Sequence, residues 1–220
     1  MRETDYSQQT NAQNMPSSLT SEIAKFLQWS EQFPDEGRTS GWESGYPEWP
    51  VLRDAATAAV KAGDPVTAGP QAIEQVLYVV ARDNADQWMV QTLIDFPKWL
   101  HAVANASLEF EDGDALWQLA VALGASPHKA EAEQLLLKFN ESADEYVSRM
   151  ALLALANIGS AQTEKLSVKA WKTNDEYQRI AALWAIWRVK SSNLPKFLDA
   201  AKKDGREHLM HNVAKVEKPA

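Results

Sequence analysis

Cysteine is absent, histidine occurs four times, and no uninterrupted apolar run approaches the roughly 18 residues that span a bilayer. Without thiols there is no disulfide framework, no thiolate nucleophile and no Cys-ligated zinc, and the composition fits a reducing compartment. Residues 1–18 hold one basic side chain and no hydrophobic block, so they do not read as a secretory leader and the expected location is the cytoplasm. Positive charge is scarce too: 22 Lys and Arg against 30 Asp and Glu leave a formal charge of -8. Such a chain repels phosphate backbones unless its cations cluster, which disfavours nucleic acid as a partner and favours a basic protein. There is no phosphate-binding Gly-rich loop, and in Gly41-Trp42-Glu43-Ser44-Gly45 the serine stands fourth, not third as a nucleophile elbow requires. The expectation is a non-enzymatic protein with no cofactor and no metal.

What is present is helix. Residues 1–18 are polar, too poor in apolar side chains to offset ordering entropy, and are expected to be a disordered tail with Met15 as an alternative start. From residue 19 to 220 short amphipathic segments alternate with Gly, Pro, Asn and Asp, and no period-2 run marks a strand. Starts are signalled by Pro50, Pro70, Pro97, Pro127 and Pro195 and by Asp86, Asp114, Asp144 and Asp175. This predicts a single all-α domain of about ten to twelve helices. The segments repeat. Asp144-Glu145-Tyr146 opens one helix, and Asp175-Glu176-Tyr177 opens another 31 residues later. Phe96-Pro97-Lys98-Trp99-Leu100 returns 98 residues on as Leu194-Pro195-Lys196-Phe197-Leu198, about three such periods, and residues 114–126 match 148–160 in their Ala/Leu pattern and terminal Gly.

The helix that begins at Tyr146 is apolar on almost every side and must be covered from two directions. Ala151, Ala154, Ala181 and Ala185 permit close approach, while Leu152, Leu155, Ile180 and Leu183 supply area to bury. A hairpin of such helices keeps a face that only the next hairpin can cover, so stacking is obligatory and the product is an α-solenoid. The Asp-Glu-x-x-x-Arg opening of Asp144 to Arg149, the Ala/Leu-rich helix closing on Ile158-Gly159, and the Pro195 helix after the second copy resemble the HEAT-repeat family. The likeness is good over residues 114–218 and weaker over 19–84. It implies a right-handed superhelix of about five to six helix pairs, with first helices convex and second helices lining a concave binding surface. The second copy departs from the pattern: Arg188-Val189-Lys190 replaces the Ile-Gly turn, and Arg179 stands one position earlier than Arg149.

Residues 31–50 are the least helical stretch. Three Gly and three Pro forbid regular structure, and Phe33, Trp42, Tyr46 and Trp49 are too apolar to stay in water. One role is a cap on the open end of the solenoid that buries Trp42 and Trp49. The other is a binding surface, in which the carboxylates of Asp35, Glu36, Glu43 and Glu48 rim the aromatic anchors Trp42, Tyr46 and Trp49 for a cationic partner. The two are compatible. Charge favours the second: residues 1–110 carry 7 Lys and Arg against 15 Asp and Glu, whereas residues 111–220 carry 15 of each.

Other constellations are weaker. His208 and His211 share a helical face beside Glu207, but two imidazoles without a third ligand read as surface residues, and the repeated His-Glu pairs of HEAT-like iron enzymes reduce here to Glu207-His208. The cluster Glu109, Glu111, Asp112 and Asp114 has Gly113 where an EF-hand needs an oxygen, and reads as a capped helix start. HEAT-like alkylpurine DNA glycosylases supply the alternative function, through Trp171, Asp175, Arg179 and Arg206, in a segment (residues 161–220) with 12 Lys and Arg against 7 Asp and Glu. The leading expectation is a binding module for a basic protein, as an adaptor or a toxin-neutralising immunity protein.

Overall fold

The computed structural model describes residues 18–33, 41–110 and 112–218; the tail 1–17 and the candidate contacts Asp35 and Glu36 lie outside the described residues. Among the described residues are α1 (Leu19–Ser30), α2 (Trp49–Lys61), α3 (Pro65–Ala68), α4 (Pro70–Arg82), α5 (Trp88–Ile94), α6 (Pro97–Phe110), α7 (Gly113–Leu123), α8 (Lys129–Asn140), α9 (Glu145–Ile158), α10 (Thr163–Lys172), α11 (Glu176–Arg188), α12 (Leu194–Asp204) and α13 (Glu207–Val216), with a 3₁₀ turn at Trp42–Gly45 and no strand. The fold is all-α. Side-chain oxygens of Ser18, Asp64, Asp112, Asp144 and Asp175 accept backbone N–H groups at helix starts, and prolines occupy the first turn of α2, α3, α4 and α12. Of the acidic cluster before α7, Asp112 is the cap, accepting from the Asp114 amide at 3.0 Å.

Six helix pairs follow one another: α1/α2, α4/α5, α6/α7, α8/α9, α10/α11 and α12/α13, with α3 a single turn ahead of α4. Second helices pack in an unbroken series, α2 on α5, α5 on α7, then α9, α11 and α13. First helices do so closely only from α1 through α4 and α6 to α8; beyond that α8, α10 and α12 approach one another less closely, with Trp171 of α10 against Phe197 of α12. A stack closed in one layer and open in the other bends toward the closed layer, which places the second helices of the C-terminal half inside the curve. The result is the α-solenoid that alternating coverage demands. The core runs along it, one continuous cluster from Leu19 to Ile158 and two smaller ones around α10/α11 and α11 to α13.

Small residues set the spacing. A Cβ at Gly124 would lie 3.0 Å from Ala154 Cβ and 3.1 Å from its Cα, so α7 approaches α9 as closely as glycine allows. The pairs also share a clip. Ser126, Ser160 and Ser191, each just past a second helix, accept at Oγ from the amide two residues on. Each also bonds a side chain on the first helix of its own pair: His101 at 3.0 Å, Glu133 at 2.5 Å, and Glu164. The turn between pairs survives without glycine: Lys190 takes the left-handed conformation (φ 54°) that Gly159 takes one repeat earlier (φ 77°). The Ser191 and Ser160 amides then close on Ile186 and Leu155 carbonyls at 3.1 and 3.0 Å.

Candidate functional site

The insertion folds back on the first pairs. Phe26 of α1 is the hub: Tyr46 lies 5.0 Å away edge-on, Trp49 5.4 Å, Trp29 5.7 Å and Trp42 6.2 Å between ring centres. Trp42 stacks on Trp29 at 5.5 Å with planes 7° apart. Tyr46 and Trp49 are 5% and 6% exposed, and the Trp49 indole donates to the Glu43 carbonyl at 2.7 Å. Glu43 is itself 4% exposed, its carboxylate 3.4 Å from Arg82, whose other amine reaches Asp112 at 2.5 Å. Burial first, then Glu22 and Glu48, push the Tyr46 hydroxyl above its ordinary pKa. Of the candidate contacts described, Glu48 is exposed and Trp42 half-buried; Glu43, Tyr46 and Trp49 are engaged within the chain. Arg53 adds a brace. Its guanidinium lies over Trp49 at 5.1 Å and pairs with Asp83 and Asp86 at 2.5 Å each. Burial is the main influence on Asp83 and lifts its carboxyl above the usual range, against the lowering pull of the Met89 amide and Arg53.

The C-terminal half presents aromatics differently. Tyr146 and Tyr177 occupy the same second-helix position 31 residues apart and are 40% and 49% exposed. Trp117 packs on Tyr146 at 5.5 Å. The Arg149 guanidinium sits between the two tyrosines, 5.1 Å from one ring and 5.0 Å from the other. Tyr177 in turn stacks on His208 at 5.9 Å and 22°. A ladder of π-systems thus crosses α7, α9, α11 and α13: one sequence position supplies Tyr146, Tyr177 and His208 from α9, α11 and α13, and Trp117 joins it from a different position of α7. Beside it, between α7, α9 and α11, an open recess of about 440 Å³ is lined by Val121, Met150, Leu153 and Trp184, with Asn157 and Arg188 at its edge. Trp184 is oriented by its indole donating to Asn212 at 2.8 Å. Carboxylates flank the rungs: Glu145 precedes Tyr146, Glu176 precedes Tyr177 and Glu207 precedes His208. Sequence reading took Asp-Glu-Tyr as a period marker and missed its third copy, Arg206-Glu207-His208, another 31 residues on. That spacing was the signal for the ladder.

The residues of the glycosylase alternative are engaged within the chain. Asp175 caps α11 and accepts from the Gln178 amide at 2.8 Å. Arg179 lies over Trp171 at 5.3 Å and pairs with Asp204, which Arg206 also grips at 2.7 Å. Arg206 first, and then Arg179, hold the Asp204 carboxyl far below the usual carboxylate range. Among the described residues no three His, Asp or Glu side chains converge as a metal site, and no helix is long and apolar enough to cross a membrane. Neither a protein-family model nor a curated protein matches the chain.

Proposed function

We propose that the chain is a non-enzymatic interaction module, a HEAT-like solenoid that holds a basic segment of a partner protein along the outward face of its second helices. The ladder from Trp117 to His208 carries this reading. Exposed aromatics at a 31-residue spacing, Tyr146, Tyr177 and His208, with Trp117 beside the first, supply large contact area at low entropic cost. Arg149 already demonstrates the chemistry, with a guanidinium between two tyrosine rings. Glu145 and Glu207 are exposed beside the rungs and would meet further cations. The excess negative charge, which sits in residues 1–110, would raise the encounter rate of the whole chain with a basic partner and disfavour nucleic acid, while the contacts themselves come from the rungs and their flanking carboxylates. Adaptors and toxin-neutralising immunity proteins both need a surface of this kind and differ in what fills it.

The test is fluorescence anisotropy with a labelled peptide of repeated Arg-Leu units. Salt-sensitive binding that drops roughly tenfold or more in the Tyr146→Ala, Tyr177→Ala double variant supports the proposal. Binding indifferent to that change, or retention of DNA at low salt in preference to the peptide, would overturn it.

A further inference from the structure

On the opposite face, where the first helices approach one another less closely, a trough opens between α10 and α12. Its two stretches, of about 600 and 210 Å³, share Val168, Lys196 and Phe197. The floor is apolar. Val168 is 43% exposed, and the half-buried Trp171 meets Phe197 edge-on at 5.0 Å and 82°. The rim is cationic, with Lys165 and Lys172 from α10 and Lys196 from α12, and with Lys169 exposed on the next turn. Among the described residues none of these four lysines forms an ion pair; Lys196 donates to the Asn193 side chain at 3.0 Å. Glu164 also lines the trough, but its carboxylate is turned to Ser191 and Asn193. Exposed apolar surface rimmed by an excess of unpaired charge of one sign, here three lysines against Glu164, marks an interaction site.

We propose that this trough is a second docking surface, and that it takes an acidic amphipathic segment of a protein other than the one held by the ladder. Apolar side chains of that segment lie on Val168, Phe197 and Trp171, and its carboxylates face Lys165, Lys172 and Lys196. Charge complementarity selects the occupant: residues 161–220 carry 12 Lys and Arg against 7 Asp and Glu, opposite in sign to the first half of the chain. The recess admits side chains, which a flat lipid surface does not supply. Because the two surfaces lie on opposite layers of one stack, a basic and an acidic partner can be held together, which is what an adaptor does.

The experiment uses the full chain and a fluorescein-labelled peptide of repeated Glu-Glu-Leu-Leu units. Expected is binding that weakens with salt and falls roughly tenfold or more in the Lys172→Glu, Lys196→Glu variant. Helical circular dichroism of that variant should be unchanged, since both lysines are exposed. Lys172→Gln with Lys196→Gln should weaken binding less, and Tyr146→Ala with Tyr177→Ala should leave it unaltered. The proposal is overturned if the charge reversals have no effect, if a Lys-Lys-Leu-Leu peptide binds equally well at the trough, or if anionic vesicles bind in a lysine-dependent way and the acidic peptide does not. Lysine-dependent self-association with no peptide binding would also overturn it, by making a second copy the occupant.

Discussion

The two halves of the stack use aromatic residues in opposite ways. Among the described residues no helix pair precedes α1, and its outer face is covered by the insertion: Trp42, Tyr46 and Trp49 pack on Phe26, and Trp42 and Tyr46 also on Trp29. In the C-terminal half the second helices are covered by their neighbours and by their own first helices, so the rings of Tyr146, Tyr177 and His208 stay exposed, touching one another, Trp117 and the Arg149 guanidinium. Aromatic content therefore does not locate an interface. Whether the adjacent lateral face is already filled decides between core and contact surface.

The largest difference should appear on truncation. Trp49→Ala removes a buried ring and its hydrogen bond to Glu43, and should cost about 3–5 kcal/mol in urea unfolding. Tyr177→Ala should cost under about 1 kcal/mol, and equal losses at the two sites would erase the contrast. Next, Gly124→Ala forces α7 from α9 and should destabilise by about 1–3 kcal/mol, with Ala154→Gly restoring part of the loss in the double variant. A smaller effect follows from Asp204. Its folded pKa lies below the unfolded value, so its contribution is complete above about pH 4 and declines as pH falls further. The thermal midpoint of Asp204→Asn should accordingly vary less than wild type between about pH 5 and pH 2. Smallest is Lys190→Gly, which relieves a left-handed lysine and should raise stability by up to about 1 kcal/mol.

Much of the architecture was legible because helix starts in this chain are written in local chemistry. Asp144 and Asp175 cap as their spacing implied, and Pro70, Pro97 and Pro195 sit in first turns. The unglycinated turn at Lys190 was not legible, since the hydrogen bonds that enforce it come from the helix before it. Nor was the start of α5. Asp86 is drawn away to Arg53, and Asp83, three residues earlier, receives the Met89 amide at 2.8 Å. Of the candidate site, the apolar and acidic character of residues 31–50 was readable, yet the same characters serve burial against α1 and pairing with Arg82. The ladder escaped notice because exposure at the third position of Asp-Glu-Tyr depends on which layer each helix joins, a property of the stack rather than of any single helix.

The central contrast can be read directly in protein labelled with 3-fluorotyrosine, by fluorine NMR with a soluble gadolinium chelate as the broadening agent. The account predicts strong broadening of the Tyr146 and Tyr177 resonances and a sharp Tyr46 resonance, in keeping with exposures of 40%, 49% and 5%. Broadening of Tyr46 to the same degree, or protection of both ladder tyrosines, would contradict it.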